Sequence, residues 1–152
     1  MPAARAEEVV KAARPRSSDA GNAVRPETGL DRVALRDGDR VVLLGDAFIE
    51  REGDRGFIET ALVAAHPEAS LTFRNLGWSG DTVWADSRGS FDPPAEGYKR
   101  MIALITELKP TVIVLAYGSN ESFAGDPGLQ PFVKQYEKLC DDLKKTNARL
   151  VF

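Results

Sequence analysis

An α/β domain built on a parallel sheet is what this sequence predicts, and three observations predict it. Val41-Val42-Leu43-Leu44 and Thr111-Val112-Ile113-Val114-Leu115-Ala116-Tyr117 are apolar runs without alternation, suited to strands buried on both faces. Between and after them, apolar residues recur at helical spacing, and an alternating strand-helix order implies right-handed crossovers between parallel strands. Three predicted strands also end alike, in small and polar residues. The first stops at Gly45-Asp46-Ala47, the second at Gly77-Trp78-Ser79-Gly80-Asp81-Thr82 and the third at Gly118-Ser119-Asn120-Glu121. Sheets of this class bind ligands outside the carboxyl ends of their strands, so the three loops are expected to converge on one crevice.

Composition sets the frame for these elements. With 152 residues, 43% hydrophobic and 28% charged, the chain has the make-up of an ordinary globular protein with one substantial core. Residues 1–35 are rich in Ala, Arg, Glu, Pro and Ser and are expected to be disordered, because Val9-Val10 is almost their only bulky apolar pair. The domain is therefore placed at 36–152. A net charge of -3 argues against nucleic acid or an anionic membrane as partner, and Glu7, Glu8 and Asp19 dilute the basic residues of the N-terminal segment. No run approaches the roughly 20 apolar residues of a membrane helix, and no apolar signal core opens the chain, so a cytoplasmic location is the default expectation, with export the alternative if the N-terminus is incomplete. One cysteine permits no internal disulfide. One histidine and one cysteine offer no metal-ligand set, and no cofactor is expected.

In chain order, the turn Asp37-Gly38-Asp39-Arg40 leads into the first strand. Phe48 to Arg55 reads as a loop or short helical turn. Phe57, Ile58, Ala61, Leu62 and Ala65 then form a helical stripe, stopped by Pro67 and expected to pack on the sheet. His66 sits at the end of that helix, where a helix C-terminus favours a cation. After the second strand, Gly77 and Gly80 suit positive φ and close approach, and Asp81-Thr82 suits a cap. Tyr98, Met101, Ile102, Ile105 and Leu108 predict a helix ending before Pro110. Following the third strand, a long loop to Gly128 is expected, with Pro131 opening a helix whose buried stripe holds Phe132, Tyr136, Leu139, Cys140 and Leu143. Cys140 on that stripe reads as a core residue. Asn147 is placed to close the helix in the left-handed conformation, and Ala148 to Phe152 begins a fourth strand. Because that strand has no following turn or covering helix, the chain reads as incomplete at its C-terminus.

The three strand-end blocks carry a family resemblance. Gly45-Asp46-Ala47, Asn75-Leu76-Gly77-Trp78-Ser79-Gly80-Asp81-Thr82 and Gly118-Ser119-Asn120-Glu121 resemble, in order, the first three blocks of the SGNH (GDSL-like) esterase superfamily, over roughly residues 40–152. The resemblance implies a three-layer α/β/α, flavodoxin-like parallel sheet of order 2-1-3-4-5, of which this chain supplies four strands. It also implies hydrolysis of an acyl or carbohydrate ester, with Gly80 and Asn120 as oxyanion donors. Where the family has its nucleophilic serine, this chain has Ala47, and the family's last block, Asp-x-x-His, is absent.

Acyl transfer needs a nucleophile, a base, a group orienting the base and donors for the oxyanion. The resemblance keeps the donors, including the Ala47 backbone N–H, and removes the hydroxyl, so little or no activity is expected. Asp46 either orients a water or accepts backbone hydrogen bonds in the turn. Trp78, Ser79 and Ser119 are the candidate substrate contacts; both serines also read as turn residues, and Trp78, like Trp84, reads either as packing or as a cleft wall. The other function considered is a binding module that holds an acylated ligand in the same crevice without turnover. Phosphate binding lacks any Gly-x-Gly-x-x-Gly or Gly-x-x-x-x-Gly-Lys-Ser/Thr pattern, and a receiver domain lacks its acceptor aspartate after the third strand.

Overall fold

The computed structural model describes residues 34–152, so the expected disorder of the N-terminal segment falls, but for Ala34 and Leu35, outside the described residues. Strands β1 (Arg40–Gly45), β2 (Thr72–Gly77), β3 (Val112–Ala116) and β4 (Arg149–Val151) form one parallel sheet in the order β2-β1-β3-β4. Helices α1 (Ala47–Arg55), α2 (Phe57–Ala65), α3 (Pro94–Leu108) and α4 (Gly125–Lys144) connect them. Among the described residues, no helix is long and apolar enough to cross a membrane.

The unbroken apolar run of β1 is explained by its central position. Val42 and Leu44 face Met101 and Ile105 of α3 and Leu139 and Leu143 of α4, while Val41 and Leu43 pack with Ile49 of α1 and Ile58 of α2. All four strand residues are buried. The crossover from β1 to β2 thus runs over one face of the sheet, and the next two run over the other. That reversal leaves a gap at the carboxyl ends of β1 and β3, which pair from Val41↔Val112 to Gly45↔Ala116.

Glycine is required where α1 folds back onto the strand ends. A Cβ on Gly45 would overlap the Ala116 carbonyl oxygen and stand 2.6 Å from Ile49 Cγ1, and one on Gly77 would overlap the Glu50 backbone nitrogen. Gly77 therefore serves close approach without the positive φ expected of it; Gly80 has that conformation, at φ 71°.

Four expectations are corrected. Of the two readings of Phe48 to Arg55, the loop is wrong and the short helical turn too short: the segment belongs to the nine-residue helix α1, capped by Asp46 and closed by Gly56 in the left-handed conformation. Its single inward apolar residue, Ile49, makes no readable stripe among five charged neighbours. Helix α2 covers the sheet less than its stripe suggested, since it has no fully buried residue and Phe57, Ala61 and Ala65 are exposed. Pro131 does not open α4, which starts six residues earlier at Gly125 after the short 3-10 turn Glu121–Ala124. Pro127 occupies the first turn, where N–H groups lack intrahelical partners, and exposed Pro131 forfeits one rung of the ladder. Asp81 is not a cap but a wholly buried ion-pair partner.

Elsewhere the local readings agree with the structure but for one helix end. His66 follows α2 with Nδ1 3.0 Å from the Leu62 carbonyl, and Cys140 lies in the core, where burial pushes its thiol pKa up; Asn147 is left-handed at φ 61° as expected, but α4 already ends at Lys144 with Lys145 as its C-cap.

Candidate functional site

Asp46 fixes the start of α1. Its Oδ1 accepts the Phe48 N–H at 2.9 Å, its backbone carbonyl accepts the Glu50 N–H at 3.0 Å, and its own N–H is 3.4 Å from the Ala116 carbonyl of β3. The side chain therefore plays the turn-acceptor role of a helix N-cap. Its Oδ2 is buried and has no hydrogen-bond partner among the described residues. Ala47 follows as the first helical residue, half-buried, so its N–H belongs to the first turn, where the positive end of the helix dipole lies.

Ala47 and Asn120 line one cleft of about 360 Å³, together with Asp46, Phe48, Arg51, Glu52, Arg55, Phe57 and Ser119. Asn120 reaches it from the loop after β3, and its Nδ2 donates to the Asp81 carbonyl at 2.6 Å. One amide hydrogen is thereby spent on orientation, and the second is left for a ligand. Since Asp81 directly follows Gly80, this bond ties the Asn120 amide to the loop that carries Gly80. The Gly80 carbonyl is held in turn by the Ser87 hydroxyl at 2.8 Å. Gly80, Trp78 and Ser79 are exposed and do not line this cleft. Ser119 does line it, and its carbonyl accepts the Ser122 hydroxyl at 2.7 Å.

Two supports behind the cleft escaped sequence reasoning. Glu121 bridges the two long loops: Oε1 accepts the Val83 N–H at 2.7 Å and Oε2 the Gly118 N–H at 2.9 Å. Its place one residue after Asn120 was the only available signal. The second is a buried network on Asp81, whose Oδ2 meets Arg88 Nε at 2.5 Å and the Tyr117 hydroxyl at 3.1 Å. Arg88 also donates to the Leu76 carbonyl at 2.6 Å and lies 5.7 Å from the centroid of the Trp78 ring. Burial, reinforced by the Asp81 charge, raises the Tyr117 pKa well above the ordinary tyrosine value, so the hydroxyl stays protonated and donates. With Asp81 fixed, the carbonyl that orients Asn120 is fixed too.

Trp84 belongs elsewhere. It is half-buried against the core and lines a larger groove of about 690 Å³ between α3 and α4, with Tyr98, Ile102 and Gln135. Among the described residues no cluster of three or more His, Cys, Asp or Glu side chains is placed to hold a metal ion.

No family model and no curated protein matches the chain. Solved structures do. The fold is similar to that of TesA, with a TM-score of 0.54 and 20% identity over 73% of this chain and 57% of that one. It is similar also to the psychrotrophic esterase EstA from Pseudoalteromonas sp., inhibited by monoethylphosphonate, with a TM-score of 0.53 and 19% identity over 74% of this chain and 57% of that one. The chain spans a little over half the length of either. The parallel α/β sheet with its flanking helices is thus a fold shared with TesA and with an esterase.

Proposed function

We propose that this chain carries an SGNH-type ester-hydrolase domain with a flavodoxin-like strand order. Its cleft receives an acyl or carbohydrate ester and, with alanine at the nucleophile position, holds it with little or no turnover. The observation that carries this reading is that Ala47, at the N-terminus of α1, and Asn120 line the same cleft, with the Asn120 amide tied to the carbonyl next to Gly80. In this reading the Ala47 backbone N–H and the Asn120 amide, both on the cleft wall, are the donors that meet a carbonyl oxygen, and Gly80, outside that lining, belongs to the loop that orients Asn120. Each such donor is worth about 3–4 kcal/mol when the oxyanion forms. Ser119 flanks Asn120 on the cleft wall, whereas Ser79 and Trp78 lie with Gly80 on the exposed loop outside it. The small-molecule ester is the only partner the reading needs.

Without a hydroxyl at position 47 the donors polarise a carbonyl that nothing attacks, and loss of a catalytic serine costs on the order of 10⁶-fold in kcat. Holding a ligand without cleaving it is therefore the favoured mode of this chain, on the evidence of Ala47 itself. The one histidine, His66, lies beyond the far end of α2 and is engaged with the Leu62 carbonyl, so it offers the cleft no base. The test is Ala47→Ser, assayed on para-nitrophenyl acetate with imidazole in solution as the base. Hydrolysis about tenfold or more above the unsubstituted chain in the same buffer is expected, and Asn120→Ala in that background should remove most of the gain. If Ala47→Ser gives no gain, the ester-hydrolase reading is abandoned.

A further inference from the structure

One wall of this cleft has no part in holding a carbonyl. Phe48, Arg51 and Arg55 of α1 and Phe57 of α2 line it together, and Phe48 and Phe57 are 61% and 72% exposed. Arg51 and Arg55 are exposed and form no ion pair among the described residues. The two acids of the same cleft form no ion pair with them. Asp46 and Glu52 are buried, and both turn toward helix N-termini: Asp46 accepts from Phe48, and Glu52 Oε1 accepts the N–H groups of Ile58 and Glu59. The exposed charged side chains that line this cleft are therefore the two arginines, and the positive end of α1 lies beside Ala47.

The spacing gives the wall a direction. Ala47, Arg51 and Arg55 follow one another at four-residue intervals, each step rising about 6 Å along the helix. A ligand whose carbonyl sits by Ala47 thus has Phe48 beside it and the two guanidinium groups one and two turns further along α1, with Phe57 at the start of α2 beyond them. A wholly apolar acyl chain would use the rings and leave two cations without a partner, whereas a carboxylate suits the paired donors of arginine.

On the reading that position 47 marks the carbonyl site, we infer that the cleft selects esters whose apolar or aromatic body ends in a carboxylate, packed between Phe48 and Phe57 and held by Arg51 and Arg55. The test is calorimetric titration of the whole 152-residue chain with para-acetoxybenzoate and with its neutral counterpart para-acetoxybenzamide. The anionic ester should bind about fivefold more tightly at low salt, with the advantage shrinking at high salt. The advantage should vanish in Arg51→Gln/Arg55→Gln and persist in part in Arg51→Lys/Arg55→Lys. Equal affinity for the two esters, binding of neither, or a preference that survives the Gln substitutions overturns the inference. Should the Gln variant not fold, the salt dependence of the unsubstituted chain decides. Hydrolysis by Ala47→Ser without charge preference would retire this inference alone; charge-selective binding without hydrolysis would retire only the esterase reading.

Discussion

Removing the Glu121 carboxylate should loosen the two loops that the cleft depends on. Glu121 accepts one N–H from Val83, which is wholly buried, and one from Gly118, which is half-buried. A hydrogen bond to a charged acceptor contributes about 1.5–3 kcal/mol, and a buried donor left alone keeps its full desolvation cost. Water can reach Gly118 but not Val83, so the two losses in Glu121→Ala together come to about 3 kcal/mol. For a domain of this size that is a fall in Tm of roughly 12 °C. Thermal and urea unfolding followed by circular dichroism measure it directly. Glu121→Gln retains one acceptor but turns an amide N–H toward the other donor, so it should recover at most half of the loss. A Glu121→Ala variant within about 0.5 kcal/mol of the parent, the range of ordinary surface substitutions, would show that the carboxylate does not hold these loops and would refute the account of how Asn120 is positioned.

Gly45→Ala places a methyl group against the Ala116 carbonyl, which is backbone and cannot swing away, and should destabilise the domain by about 1–3 kcal/mol in urea unfolding; an unchanged midpoint would mean that α1 does not sit on the strand ends. Asp142 accepts from Lys138 at 2.8 Å, Lys145 at 2.6 Å and the Tyr98 hydroxyl at 3.0 Å, and the two lysines, against a smaller effect of burial, hold its pKa well below the ordinary carboxylate value. A depressed folded pKa gives stability that is present above the unfolded value of about 3.9 and lost as pH falls toward the folded one. The stability gap between the parent and Asp142→Asn should therefore be widest near neutral pH and close below about pH 4; a gap constant down to pH 2 would refute the assignment.

The sheet was legible because its signals are local and strong. Four apolar residues in succession at Val41–Leu44 and the β-branched run before Tyr117 do not fit an exposed element, and the helices between them dictate parallel pairing. What stayed hidden had weak local signals or distant partners. Helix α1 carries four of its five charges outward and buries only Glu52 beside its one inward apolar residue, Ile49, so its periodicity cannot be read from composition. The early start of α4 is masked by Gly125, Pro127 and Gly128, residues that usually mark loops but here fill a first turn, where helix constraints are loosest. At the candidate site, the blocks around Ala47 and Asn120 were readable as strand-end loops. The Glu121 bridge and the Asp81–Arg88–Tyr117 network were not, since each depends on groups brought together only by folding. The arginine wall was missed for the same reason as the helix that carries it.

The separation of the two tryptophans has a spectroscopic consequence. Trp78 is nearly half-exposed beside a guanidinium, Trp84 lies in the groove between α3 and α4, and neither indole lines the cleft of Ala47. Intrinsic emission is accordingly a sum over two chromophores that watch other parts of the surface, and quenching by an added ester reports the α3/α4 groove as readily as the loop after β2. A Trp84→Phe background turns that composite signal into a single-site one.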